Sequence, residues 1–264
     1  MIRVHETQLG GMGEALGLEH FEDEMVVHLR GFVPRFSEIL GDVGLRRCIR
    51  FGIERARVYG VTNPGLLRFY VELMFMYGGM FDTDPFVPWA GPILRDPGIP
   101  DEATRMNRLY DAMLWYLDTI GGPERSFATQ ALRNLQKVRF KDMPVAELRA
   151  CERKAMDALV EIYPQRCAYL GEPLLRQLLR RGAEEAARHE VGTDRGIVLL
   201  TGMMFAMGHG AAEDPLLPWV STTLRDPAIK DPEQRAARLE RRTQIYLDKA
   251  VEHLDRGLDN VLQQ

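Results

Sequence analysis

The residues best suited to chemistry sit in one short motif that occurs twice. Asp84-Pro85-Phe86-Val87-Pro88-Trp89 is matched by Asp214-Pro215-Leu216-Leu217-Pro218-Trp219. An Asp heading a proline-stiffened turn can accept backbone N–H groups, cap a short helix or help to hold a divalent cation. A Trp beside a proline can anchor a partner that buries it, or plug a gap between helices. Asp82 and Asp84 form an Asp-x-Asp pair, the pattern of a cation site. Ala212 stands in the place of Asp82 in the second motif, and no glycine-centred calcium loop follows. Capping aspartates and no metal site are therefore expected. Asp82, Asp84, Pro88, Trp89, Asp214, Pro218 and Trp219 remain candidate binding residues.

Other constellations are sparse. The histidines are His5, His20, His28, His189, His209 and His253, with no His-Glu-x-x-His. His209 follows a glycine that should end a helix, placed to bond free carbonyls or to face a ligand. His189 reads as a half-buried packing residue. The only serines are Ser37, Ser126 and Ser221, and none lies in a Gly-x-Ser-x-Gly elbow. Gly10-Gly11-Met12-Gly13 follows no strand and reads as a flexible lead rather than a phosphate loop. Arg46, Arg50 and Arg57 share the polar side of one segment with Glu54; Arg176, Arg180 and Glu184 repeat it. Such a face can dock an acidic protein or simply be solvated, with Arg50–Glu54 and Arg180–Glu184 pairing at i,i+4. No catalytic residue, metal or cofactor is assigned.

What must position these residues is a repeat at an offset of 130. From Asp84 to Asp118, 16 of 35 positions are identical to those at 214–248, where about two would match by chance. Upstream, Pro34 pairs with Pro164, Leu40-Gly41 with Leu170-Gly171, and Arg50-x-Gly52-x-Glu54 with Arg180-x-Gly182-x-Glu184. The expectation is two tandem copies of a multi-helix unit about a pseudo-two-fold axis. Copy one spans 1–120 and copy two 121–264, with the join at Gly121-Gly122-Pro123, as separate units or packed as one compact unit.

Each copy reads as helical. Leu45, Cys48, Ile49, Gly52, Ile53, Ala56 and Tyr59 share one face of a helix over 42–59. Gly52 and Gly182 on that face predict a close approach by another helix. Thr62-Asn63-Pro64 and Thr193-Asp194 are starts of helices that end at Gly78 and Gly208. The second of these, apolar almost all round, should be the most buried. Short helices follow near 89–94 and 219–224, and long ones begin at Asp101 and Asp231. Further helices are expected at about 14–31, 124–138 and 145–162. Methionines 74, 76, 80, 203, 204 and 207 fall on the buried helices, as core or as an adaptable apolar groove. No segment alternates like a strand, so the fold class is all-α.

Composition narrows the function classes. The net charge is −4, apolar residues are 45% and charged residues 27%. This is a folded chain without the basic excess of a nucleic-acid binder. The start, Met1-Ile2-Arg3-Val4-His5-Glu6, has no apolar signal region. The most apolar run, 197–207, is too short to span a bilayer. Cys48, Cys151 and Cys167 form no disulfide or zinc pattern. The expected setting is the cytoplasm, away from membranes and nucleic acid. Arginine outnumbers lysine 29 to 5, a bias common in GC-rich bacterial genomes.

Several stretches together carry a resemblance: Ile2-Arg3-Val4, His28-Leu29-Arg30-x-Phe32-x-Pro34 and Leu40-Gly41; Ile49-Arg50-x-Gly52-Ile53-x-Arg55-Ala56; Tyr59-Gly60-Val61-Thr62 and Leu73-Met74-Phe75; Phe81-Asp82-x-Asp84-Pro85 and Pro88-Trp89-Ala90. The chain resembles a group of largely uncharacterised bacterial helical proteins encoded near type VI secretion effectors. The resemblance covers nearly all of copy one; copy two departs at 209–213. It implies a non-catalytic module that binds a toxin, an effector or a secretion component, as an immunity protein or as a chaperone or adaptor. Two alternatives stay open. One is an enzyme or toxin with Asp82, Asp84 and His209 in a cleft between the copies. The other is a binder of a hydrophobic ligand or haem.

Overall fold

The computed structural model describes residues 6–139 and 143–262, with side chains over 17–139 and 143–254. The described residues form helices and turns with no strand. Twelve α-helices follow in order: α1 (Glu6–Phe32), α2 (Pro34–Val58), α3 (Pro64–Tyr77), α4 (Ala90–Arg95), α5 (Glu102–Tyr116), α6 (Ser126–Lys137), α7 (Val145–Ala150), α8 (Glu152–Ile162), α9 (Pro164–Arg188), α10 (Asp194–Met207), α11 (Pro218–Leu224) and α12 (Pro232–Leu262). None is long and apolar enough to cross a membrane. Met1–His5, which entered the sequence reading, lie outside the described residues.

Helix ends follow local chemistry. Asn63 accepts the Gly65 N–H at 2.9 Å to start α3, and Thr193 accepts that of Gly196 at 3.1 Å to start α10. Asp101 caps α5 through Thr104 N–H at 2.7 Å, and Asp231 caps α12 through Gln234 N–H at 3.1 Å. Arg105 then reaches back to the Ile99 and Tyr59 carbonyls, as Arg235 does to those of Ile229 and His189.

Three boundaries differ from the sequence reading. The helix expected at 42–59 begins at Pro34 and kinks at Gly41, as α9 kinks at Gly171. The backbone has positive φ at both glycines, so the axis turns although the hydrogen-bond ladder resumes. The helix expected at 145–162 breaks at Cys151, whose extended backbone separates α7 from α8. Gly10–Gly13 lie inside α1 rather than in a flexible lead; glycine lowers helix propensity without forbidding the helix.

One large cluster of buried side chains holds both halves of the chain together. It joins Leu45, Ile49, Tyr70 and Met74 to Leu199, Leu200, Leu216 and Leu217. A second cluster lies among α8, α9 and α10 and receives Phe86 from the first half. The two motif loops therefore cross over, Phe86 into the second half and Leu216 among first-half residues. Gly52 and Gly182 do mark close approaches. A Cβ on Gly52 would lie 2.6 Å from Met74 Sδ, and one on Gly182 would lie 1.9 Å from Thr201 Oγ1. Eight residues of α10 are buried, against six of α3.

Candidate functional site

The two motif loops meet where α3 and α10 end. Gly78 and Gly208 close these helices with φ of 103° and 100°, and a Cβ on either would stand 3.6 Å from the other's Cα. A Cβ on Gly78 would stand 2.7 Å from the Met207 carbonyl oxygen, and one on Gly208 2.9 Å from that of Tyr77. Only glycine satisfies both the backbone angle and the crowding.

Around this crossing the aspartates act as mutual staples. Asp84 Oδ1 accepts the Phe86 N–H at 2.7 Å, and Oδ2 accepts the His209 N–H at 2.8 Å. Asp214 Oδ1 accepts the Leu216 N–H at 2.9 Å, and Oδ2 accepts the Gly79 N–H at 2.7 Å. Each carboxylate thus shapes its own turn with one oxygen and ties the opposite half with the other. Neither caps a short helix, as the sequence reading expected: α4 and α11 have no side-chain cap. Burial pushes the Asp214 carboxyl up to about 6, although both backbone donors and the Arg55 charge pull it down.

Asp82 belongs to the first half alone. Its side chain is 2% exposed. Oδ1 accepts from Arg55 Nη2 at 2.5 Å and Nε at 3.0 Å, and Oδ2 accepts from the Tyr59 hydroxyl at 2.8 Å. Burial would lower the Arg55 pKa, but the hydrogen bond and charge of Asp82 outweigh it and raise it. Burial, then Asp82, raises that of Tyr59. The two carboxylates of the Asp-x-Asp pair turn to different partners, Asp82 to Arg55 and Tyr59 and Asp84 to backbone N–H groups. Among the described residues, no group of three or more His, Cys, Asp or Glu could hold a metal ion.

His209 also departs from its expected role. Its ring does not reach helix-end carbonyls. Arg181 Nη1 lies 3.3 Å from Nδ1, and Thr83 Oγ1 lies 3.3 Å from Nε2. Arginine can only donate, so Nδ1 accepts and Nε2–H faces the threonine. His189 is half-buried and pairs with Glu185, Nε2 to Oε2 at 3.3 Å.

Trp89 and Trp219 are half-buried, each behind its proline, Pro88 or Pro218. Trp89 packs on Tyr77 and Tyr116 with ring centres 5.4 and 5.9 Å away, and Trp219 packs on Tyr246 at 5.6 Å. The arginine faces reach across to α1 and α8, and Arg176 also pairs along its own helix. Arg46 pairs with Asp23 at 2.5 Å. Arg50 donates to Glu22 and not to Glu54. Arg176 pairs with Glu172 and Glu152. Arg57 and Arg180 are exposed.

Burial pushes the Cys48 thiol up to about 12 and that of Cys167 to about 11, so both stay protonated and unreactive near neutrality. The sequence reading missed Arg55, Tyr59 and Glu22. Each lies on a helix remote from its partner, and only the Arg55-x-x-x-Tyr59 spacing hinted that both face one way. No family model, curated protein or solved structure matches this chain.

Proposed function

We propose that the protein is a non-catalytic binding module, working by recognition of another protein. The observation that carries this reading is the outer face of α5. Tyr110, Leu114 and Trp115 are 48%, 42% and 59% exposed there. The places 130 residues on hold Glu240, Gln244 and Ile245, so the helical unit does not need an aromatic at this face to fold. An exposed Trp–Tyr–Leu cluster has the composition of an interface anchor. The groups best suited to acid–base or metal work, Asp82, Asp84 and Asp214, are committed to internal partners.

We further infer that the two halves descend from a duplicated unit with pseudo-two-fold symmetry. The 16 identities in 35 positions support this, as do the paired bonds Asp84 to His209 and Asp214 to Gly79. The resemblance in the first half directs the partner to a toxin or effector of a type VI secretion locus, met in the cytoplasm by an immunity protein or an adaptor. Mixing the purified protein with the product of the adjacent effector gene should give a stable complex in size-exclusion chromatography. Trp115→Glu should weaken that complex at least about tenfold with helicity unchanged. A Trp115→Glu variant that binds as well as the parent would sink the α5 assignment, and failure of any complex would sink the effector partner.

A further inference from the structure

We propose that the second half holds a binding site for a medium-chain aliphatic monocarboxylate, in the cavity enclosed by α6, α7, α8, α9 and α10. The cavity has a volume of about 290 Å³. That is roughly twice the space that admits benzene in an engineered core, and it suits a tail of about eight to ten carbons. Leu135, Leu159, Leu179 and Ile197 give it an apolar wall. Arg149, Glu152 and Arg180 are exposed and stand where it meets solvent.

The space exists because the second half carries small residues where the first half is filled. Met25, Ile53 and Val71 are buried core residues. The positions 130 further on hold Ala155, Ala183 and Thr201, all lining the cavity. His28 and Glu72 face each other in the first half, with Nε2 2.7 Å from Oε1. Their places hold Ala158 and Gly202, again in the cavity wall. A Cβ on Gly202 would meet nothing within 4 Å. An empty apolar cavity of this size is destabilising. Four truncations and one Val-to-Thr exchange around one space therefore point to an occupant.

Charge at the mouth selects the head group. In the first half, Arg46 takes Asp23 at 2.5 Å and lies 3.9 Å from Glu22, which Arg50 binds through bonds of 2.7 and 2.9 Å. In the second half Arg153 stands in the place of Asp23, and Glu152 is bound by Arg176. Arg180, in the place of Arg50, makes no hydrogen bond or ion pair among the described residues. Arg149 adds a second positive charge, 3.9 Å from Asp194. A ligand carboxylate on Arg180 would restore the pairing that Glu22 gives Arg50, with its tail in the cavity.

Calorimetric titration with decanoate, and with the uncharged 1-decanol, tests this on the full chain. The parent should bind one decanoate saturably. Arg180→Gln should weaken decanoate by about tenfold and leave decanol unchanged, as loss of a charged hydrogen bond requires. The pair Ala155→Met and Ala183→Ile, which restores the first-half residues, should abolish both. Absence of saturable decanoate binding by the parent overturns the site. Unaltered decanoate binding by Arg180→Gln overturns the head-group assignment, and that variant decides the matter even if the filled cavity will not fold.

Discussion

Asp214 shows how one carboxylate can serve structure at a cost that varies with pH. It is held by two backbone donors, yet burial raises its pKa to about 6. A carboxyl whose folded-state pKa lies above its unfolded value stabilises the fold fully below the unfolded value, and that contribution is lost as pH rises through the folded value. The window here runs from about 4 to about 6. Asp214→Asn has no titration at this site. The stability of the parent relative to Asp214→Asn should therefore rise by about 1 kcal/mol from pH 7 to pH 5. Urea unfolding of both proteins at the two pH values checks it, and a constant difference would refute the assignment. At this scale the sequence exposed the acceptors but not their donors. Asp84 and Asp214 stand out in a repeated motif, whereas Gly79 and His209 contribute backbone N–H groups, which carry no side-chain signal. Asp82 was legible as a charge but not as an ion-pair partner, because Arg55 comes from α2, far away in sequence.

Among the elements, helix ends were the most legible feature, since caps are local. Asn63-Pro64 and Gly78 bound α3, and Thr193 and Gly208 bound α10. The kinks at Gly41 and Gly171 and the break at Cys151 were not, because apolar spacing continues across them. The glycines separate into those that crowding requires and those it does not. Gly78→Ala would force positive φ on a side chain and drive its Cβ against the Met207 carbonyl. It should lower stability by about 3 kcal/mol. Gly202→Ala meets open space inside α10 and should raise stability by about 0.5–1 kcal/mol. Thermal or urea melts of the two variants should move in opposite directions.

For the molecule as a whole, sequence identity at a fixed offset was readable, but the crossing of the loops was not. Nothing in Asp-Pro-Phe-Val-Pro-Trp states that Phe86 packs among Leu175, Leu178 and Phe205 rather than in its own half. The boundary at Gly121–Pro123 is thus a bend in the chain with the core continuous on either side. Residues 1–121 and 122–264, expressed separately, should each lack a cooperative melt by circular dichroism. Expressed together, they should co-purify as a helical complex. An isolated half that melts cooperatively would mean that the crossed loops are dispensable.

The same crossing has a consequence for synthesis on the ribosome. The first half cannot complete its packing until Leu216 and Leu217 emerge, 130 residues after the equivalent Phe86 and Val87. At elongation speeds of about 5–20 residues per second that interval lasts on the order of ten seconds. Until α8, α9 and α10 have followed, Phe86 has no core to enter, and the end of α3 lacks its opposing helix. A nascent chain of this design exposes apolar surface until its second motif has emerged, so its yield should respond to ribosome-associated chaperones and to slow codons placed between the two halves.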